Sequence, residues 1–302
     1  MFIHWGLYSI HGWHEQEQWR KTIDKATYVQ LAERFNPQKF DAAQMVRFAK
    51  DCGAEYICFT TKHHDGFCMW DTAYTDFNIM NVPYGKDILK ELSDACAAQN
   101  MPLALYYSNP DWHHKNAINA GGNHQMPTQN PGDEPDEELY KAYIKNQMRE
   151  LLTGYGKICA LFWDIPPEST DASINAYVRS LQPGILINDR GYDRGDYSTP
   201  ERNIPEGEAF SRLTEACQSV GSQSWGFREN EDYYATSYLM KCIDKIRCRG
   251  GNYLLNVGPN AEGELCPEAK ARFARIGDWY KRVRKSYGAY VGYEKGKYML
   301  TA

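Results

Sequence analysis

The chain has 302 residues, 42% hydrophobic and 24% charged, with a formal net charge of −5. That acidic balance argues against a nucleic-acid binder, which carries a basic patch. No apolar run of about 18 residues occurs, so no membrane-spanning helix is expected.

Short apolar runs alternate with longer amphipathic ones along the chain. FIHW (Phe2–Trp5) reads as the end of a first strand. YVQLAERF and FDAAQMVRFAKDCG read as helices, the second with Met45, Val46 and Ala49 on one face and a stop at Gly53. AEYICFTT is a strand and GKDILKELSDACAAQN a helix, with Ile88, Leu89, Leu92 and Cys96 on its apolar face. MPLALYYS is a strand. DEELYKAYIKNQMRELLTGYG is a helix with acidic residues in its first turn, which favour the positive end of its dipole. ICALFWD (strand), DASINAYVRSLQP (helix), GILIND (strand) and SQSWGF (a weaker strand) follow. TSYLMKCIDKIRCRG (helix), GGNYLLNVGP (strand) and CPEAKARFARIGDWYKRVRKSYG (helix) complete the series.

Repeated βα units imply a parallel sheet with right-handed crossovers. The count predicts an α/β fold, a (β/α)8-like TIM barrel that is somewhat irregular in its second half. Barrels reach this length as one domain. Residues 1–288 are assigned to the barrel and 289–302 to a C-terminal tail, read as the start of a β-sandwich. A doubly wound nucleotide-binding sheet would need a Gly-rich phosphate loop, and neither G-x-G-x-x-G nor the Walker pattern is present. Nine cysteines, an odd number without a C-x-x-C, read as reduced thiols. MFIHWGLYSI has no basic n-region of a signal peptide, so a cytoplasmic location is expected.

The strand ends carry the chemistry. His4 and Trp5 end the first. Lys62, His63, His64 and Asp65 end the next, then Tyr106 and Tyr107, Trp163 and Asp164, Asn188 to Arg190, and Trp225. Polar groups clustered beyond buried strands are costly unless something binds them. Barrel active sites lie at the C-terminal ends of the strands. Aromatics make up 14% of the chain, including 22 Tyr and 8 Trp. Such rings can stack on the C–H faces of sugars while polar neighbours take the hydroxyls.

A metal site is not expected. Two ligands on one strand face need His-x-His spacing, and the histidines here are adjacent. A serine triad is not expected either, because SQSWG lacks the first glycine of a nucleophile elbow. Carboxylates remain. Glycoside hydrolysis needs two, and Asp164, after LFW, is one candidate. DYSTPERNIPEGE supplies Asp196, Glu201, Glu206 and Glu208 as candidates for the other.

FIHWGLYS, KHHDGFCMWD, ALYYSNPDWHH, LFWD, INDRG, DYSTPER, QSWGF and GGNYLLNVGP stand in the order seen in the α-L-fucosidases of glycoside hydrolase family 29, which the chain resembles over nearly its whole length. The resemblance implies a retaining exo-glycosidase that removes terminal α-L-fucose through a covalent glycosyl-enzyme. It implies Asp164 as nucleophile and Glu201 as acid/base, with Glu206 in reserve. It implies fucose contacts from His4, His63, His64, Tyr107, Arg190 and Trp225. Trp19 falls where relatives carry Glu-Trp; this chain reads Gln18-Trp19, and Glu15 or Glu17 could stand in for the glutamate. Trp225 or Phe162 would receive the C6 methyl group. The partner expected is a fucosylated oligosaccharide or glycoside, with no cofactor, nucleic acid or membrane; a homo-oligomer is compatible. A non-catalytic sugar-binding barrel and a glycosidase for a similar sugar, such as a galactoside, are the competing readings.

Overall fold

The structure is a computed structural model that describes residues 1–202, 209–287, 290–294 and 297–301. Its strands are β1 Phe2–Ile3, β2 Ile57–Lys62, β3 Leu103–Ser108, β4 Ile158–Asp164, β5 Leu186–Ile187, β6 Glu215–Ser219 and β7 Asn252–Val257. All seven are in one parallel sheet with the order β5-β4-β3-β2-β1-β7-β6. The helices are α1 Glu17–Arg20, α2 Lys25–Tyr28, α3 Ala42–Asp51, α4 Ile88–Ala98, α5 Glu137–Gly154, α6 Ala172–Leu181, α7 Thr236–Arg247 and α8 Pro267–Val283. A separate antiparallel hairpin, β8 Tyr290–Glu294 with β9 Lys297–Thr301, follows them.

Local sequence fixes several helix starts. Asp41, Asp87, Asp136 and Asp171 are the N-caps of α3, α4, α5 and α6, and each carboxylate accepts a first-turn backbone N–H. Gly53 follows α3 at φ +78, a left-handed conformation that a side chain would strain.

Alternation along the strands sorts two cores. Phe2, Cys58, Ala104, Tyr106, Ala160, Phe162, Cys217 and Leu254 form one cluster on the inner face. Ile3, Phe59, Leu105, Tyr107, Leu161, Trp163 and Ile187 point the other way, into the larger core beneath the helices. The sheet is strongly curled. Phe2 and Phe162 lie three strands apart, a flat-sheet separation of about 14 Å, yet their ring centroids are 5.5 Å apart.

The sequence reading differs from the structure in the second half. Among the described residues seven strands form the sheet rather than eight, and within it β5 and β6 are its edges. Between them runs an extended segment with single parallel bridges Asn188–Tyr197, Ser198–Thr214 and Glu201–Cys217. SQSWGF is not a strand; the strand is EACQS, Glu215–Ser219, just before it. EACQS is buried throughout but alternates Glu215, Cys217 and Ser219 with Ala216 and Gln218, so it shows no apolar stripe and hydrophobic patterning does not reveal it.

Candidate active site

Asp164, the last residue of β4, is 14% exposed through its side chain. Its Oδ1 is 2.9 Å from Arg190 Nη1, and its Oδ2 accepts from the Tyr106 hydroxyl at 2.7 Å. Burial pushes this carboxyl up, but the Arg190 guanidinium and the Tyr106 hydroxyl bring it down to about 2. It is therefore ionised at any ordinary pH.

The same Arg190 Nη1 lies 2.9 Å from Glu201 Oε2. The two carboxylate oxygens are thus no farther apart than the sum of those distances, about 5.8 Å. Arg190 is itself fixed: Nε donates to Thr199 Oγ1 at 2.9 Å, Nη2 to the Thr199 carbonyl at 2.8 Å, and its guanidinium sits 5.3 Å from the centre of the Phe162 ring. Glu201 is the more exposed of the two acids, at 39%.

Asn109 ties these elements together. Its N–H donates to the Asp164 carbonyl at 3.0 Å, and its Nδ2 donates to the carbonyls of Ile165 at 2.7 Å and Arg190 at 3.3 Å. Ile165 adopts φ +57, a strained conformation for a β-branched residue, directly after the acid.

Three buried histidines line the neighbouring wall. His63 stacks on Tyr106 with centroids 5.5 Å apart. His64 Nε2 is 3.8 Å from Asp164 Oδ2. His4 lies 5.3 Å from the Trp225 ring. Burial lowers all three, His4 and His64 to about 4, so they are neutral hydrogen-bonding groups rather than cations. Trp225 is held from behind: Glu15 Oε2 accepts from its N–H at 2.8 Å and from Ser224 Oγ at 2.6 Å. Arg202 sits 4.9 Å from the centre of its ring. Trp19 stacks on His124, centroids 5.2 Å apart, and His124 lies 5.5 Å from His64. Two carboxylates on one arginine, ringed by neutral histidines and aromatic faces, suit a polyhydroxylated ligand with apolar C–H faces. No cluster of three or more potential metal ligands occurs among the described residues.

Residues 1–285 match the family model described as alpha-L-fucosidase. The chain belongs to that family. Plasma alpha-L-fucosidase of Homo sapiens is 27% identical over 312 residues, covering 93% of this chain and 65% of the relative. The corresponding protein of Pongo abelii is 27% identical over 311 residues, covering 93% and 66%. The chain thus spans just under two thirds of the length of these relatives. Among solved structures, alpha-L-fucosidase isoenzyme 1 from Paenibacillus thiaminolyticus superposes with a TM-score of 0.89 at 32% identity, over 98% of this chain and 76% of that one. Alpha-L-fucosidase AlfC from Lactobacillus casei, solved with alpha-L-fucose product, gives 0.84 at 30% identity, over 94% and 96%.

Of the contacts that the fucosidase resemblance implies, the structure links His4, His63, His64, Trp225, Asp164, Arg190 and Glu201 through one chain of ring contacts and ion pairs, which Trp19 joins through His124. Tyr107 is a correction. It points outward, donating to Gln147 Oε1 at 2.6 Å beneath the Lys62 ammonium, which is 4.4 Å from its ring. Tyr106 takes the inward place. The register shows why: Tyr106 pairs with Phe162, Tyr107 with Trp163 and Ser108 with Asp164. An inward Asp164 therefore requires an inward Tyr106. Of the two stand-in glutamates, Glu15 lies under Trp225, whereas Glu17 is engaged with His11 and Lys21 at 2.8 and 2.7 Å. Glu206 lies outside the described residues. His124, Ser108, Asn109 and Asn256 escaped sequence reasoning. Only the long loop around His124 and the strand-end position of Ser108 offered a signal.

The KHHD stretch divides between the two faces. Lys62 is fully buried and pairs with Asp111 at 2.8 Å outside the sheet. Burial raises Asp111, but Lys62 and the neighbouring histidines bring it down to about 2. Gly66 allows this packing, since a Cβ there would lie 2.4 Å from Asp111 Oδ1. Asp65 is also turned away: Oδ2 accepts from Tyr28 at 2.9 Å and Oδ1 from the Phe67 N–H at 3.1 Å. Burial raises Asp65 from 3.8 to about 7. The folded chain holds a proton there that the unfolded chain releases, so stability falls as pH rises across that window. Asp65→Asn mimics the protonated side chain and is expected to flatten this slope. Melting temperatures taken between about pH 4 and pH 8 check this, and a variant profile parallel to wild type would refute it.

Proposed function

We propose that this protein is a retaining exo-α-L-fucosidase that hydrolyses terminal α-L-fucose from glycans or glycosides. The observation that carries the reading is the pairing of Asp164 and Glu201 on one guanidinium nitrogen, with their nearest oxygens within about 5.8 Å. Retaining enzymes hold their carboxyls ~5–5.5 Å apart and inverting ones ~6.5–9.5 Å. A sugar-binding barrel without turnover would have no use for this pairing. The scaffold is read as a (β/α)8-like barrel in which the extended segment 197–201 occupies the eighth position between β5 and β6.

Asp164, ionised, attacks the anomeric carbon and forms a glycosyl ester as the bond to the leaving oxygen breaks. Glu201 gives its proton to that oxygen, then takes one from the water that cleaves the ester, restoring both acids. To act as an acid, Glu201 must carry a proton, and its ion pair with Arg190 gives way in that form. Its greater exposure to solvent suits contact with the leaving group. Phe162 and Trp225 offer apolar surface to the C6 methyl group, whose burial contributes about 1 kcal/mol. That is too little for strict selectivity, so exclusion of a 6-hydroxymethyl group carries the rest. The nine unpaired thiols support a reducing, cytoplasmic setting.

The test is a panel of aryl glycosides: α-L-fucoside, α- and β-galactoside and α-L-rhamnoside. Release from the α-L-fucoside alone, with the α-anomer of fucose as first product, is expected. Preferential release from a galactoside would overturn the substrate, and a β-anomeric first product the mechanism. Glu201→Gln is expected to slow hydrolysis of an unactivated fucoside by ~10²–10⁴-fold, the usual size of general acid catalysis. A 4-nitrophenyl fucoside, whose leaving group needs little protonation, is expected to lose much less in the glycosylation step. Equal losses on both substrates would remove Glu201 from the acid role.

A further inference from the structure

Two polar side chains sit behind the sugar-facing histidines. Ser108 has one hydroxyl proton, and its Oγ lies 2.7 Å from the Pro110 carbonyl, which can only accept. The proton is committed there. His64 Nδ1 is 2.6 Å from the same Oγ, whose remaining role is acceptor, so this nitrogen carries hydrogen. Asn256 works the same way. Its Nδ2 donates to the Trp225 carbonyl at 2.6 Å and to Ser219 Oγ at 3.1 Å. The accept-only carbonyl fixes which end of the amide is nitrogen. Asn256 Oδ1 therefore faces His4 Nδ1, 2.7 Å away, and accepts from it. A neutral imidazole with hydrogen on Nδ1 has a bare Nε2. At His64 this atom faces Asp164 Oδ2 at 3.8 Å. Two acceptors cannot bond to each other, but both can receive from a donor placed between them.

We propose that Ser108 and Asn256 are positioning residues that lock His64 and His4 in the Nδ1–H tautomer, so that each ring offers Nε2 as an acceptor and the pocket selects ligands by the hydroxyl protons they donate. The selection half of this statement rests on the fucosidase reading; the tautomers do not. Neutral histidines could otherwise donate from Nε2, and the pocket would then favour ether or fluoro groups equally. As assigned, replacing a contacted hydroxyl by fluorine removes the donor and weakens binding.

The test uses ligand-free protein labelled with ¹⁵N-histidine. Long-range ¹H–¹⁵N correlation separates the tautomers, and the resonances are assigned by their loss in His4→Gln and His64→Gln. Both rings are expected to show the Nδ1–H pattern in wild type, a result that needs no other variant to fold. Ser108→Ala is expected to shift His64, and Asn256→Ala to shift His4, toward a mixture. Ser108→Thr keeps the hydroxyl and is expected to hold His64 in the wild-type pattern. With an aryl fucoside, Ser108→Ala is expected to raise KM about tenfold while kcat changes less than about threefold, because contacts to hydroxyls are made in ground and transition states alike. An Nε2–H pattern for either ring in wild type, or tautomers unmoved in both alanine variants, would overturn the proposal. Nδ1–H patterns in a protein that turns over no fucoside would fell the fucosidase reading and leave the tautomer assignment standing.

Discussion

Asp164→Ala is expected to lower kcat/KM toward an aryl α-L-fucoside by about 10⁵-fold, the scale seen when a covalent nucleophile is removed, while the protein stays folded. The fold survives because Arg190 keeps Glu201 as its charge partner and its two bonds to Thr199. The ring packing of Phe162 and Tyr106 stays in place, and the cost is confined to the Tyr106 hydroxyl, which loses its acceptor. Wild-type enzyme quenched in acid during turnover is expected to carry a fucosyl mass on the peptide containing Asp164, and the variant none. Undiminished turnover in the variant, at matched melting temperature, would remove Asp164 from the mechanism.

Arg190→Met has the second large effect, and it reaches stability as well as rate. The arginine serves two carboxylates through one nitrogen. Without it, Asp164 remains among aromatic rings with only Tyr106 and a neutral histidine. Removing one partner of a buried pair typically costs about 3–5 kcal/mol, and that loss is expected at pH 7. The pH dependence follows from the sign of the shift. In wild type the Asp164 carboxyl is held at about 2, against an ordinary 3.8. Its stabilising contribution is complete above 3.8 and is lost as pH falls toward 2. In the variant the carboxyl rises instead, and protonation relieves the unpaired charge. The stability gap between the two proteins is therefore expected to narrow between about pH 7 and pH 4. Activity is expected to fall at least ~10²-fold at pH 7, because less Asp164 is ionised and the guanidinium no longer positions it. Denaturant titrations at the two pH values check the first claim; a gap that is constant with pH would mean that Arg190 acts by packing alone.

Much of this site was legible in the sequence because strand ends are punctuated. An apolar run that stops at HH, at FWD or at NDR marks both the strand and the direction of its C-terminus. The βα rhythm then places those ends on one face. What periodicity alone did not settle was which of two adjacent residues turns inward. Tyr106 and Tyr107 are identical in type, and only the register against Asp164 separates them. Lys62 and Asp65 show the same limit in reverse, since their chemistry suits a sugar site but their side chains leave it. β6 was missed because its inward residues, Glu215, Cys217 and Ser219, do not form an apolar stripe. The backing groups were invisible for a different reason. Asn109 and Asn256 act through hydrogen bonds to partners far away in the chain, and Ser108, though it donates locally to Pro110, meets His64 only through the fold, so no local spacing encodes these pairings.

The sorting of β3 and its neighbours into an inner and an outer face also bears on how such a chain can diverge. Single substitutions on the inner face change what is bound, and they leave the helix-facing core intact. Substitutions on the outer face test folding without touching the reacting atoms. A one-residue insertion within β3 is different in kind. It would exchange Tyr106 for Tyr107 and turn Ser108 away from His64 in one step, so recognition and packing would fail together. Insertions are therefore expected to be tolerated in the loops past Asp111 and Ile165, which lie clear of the bonds made by Asn109 and Pro110, rather than within the strands.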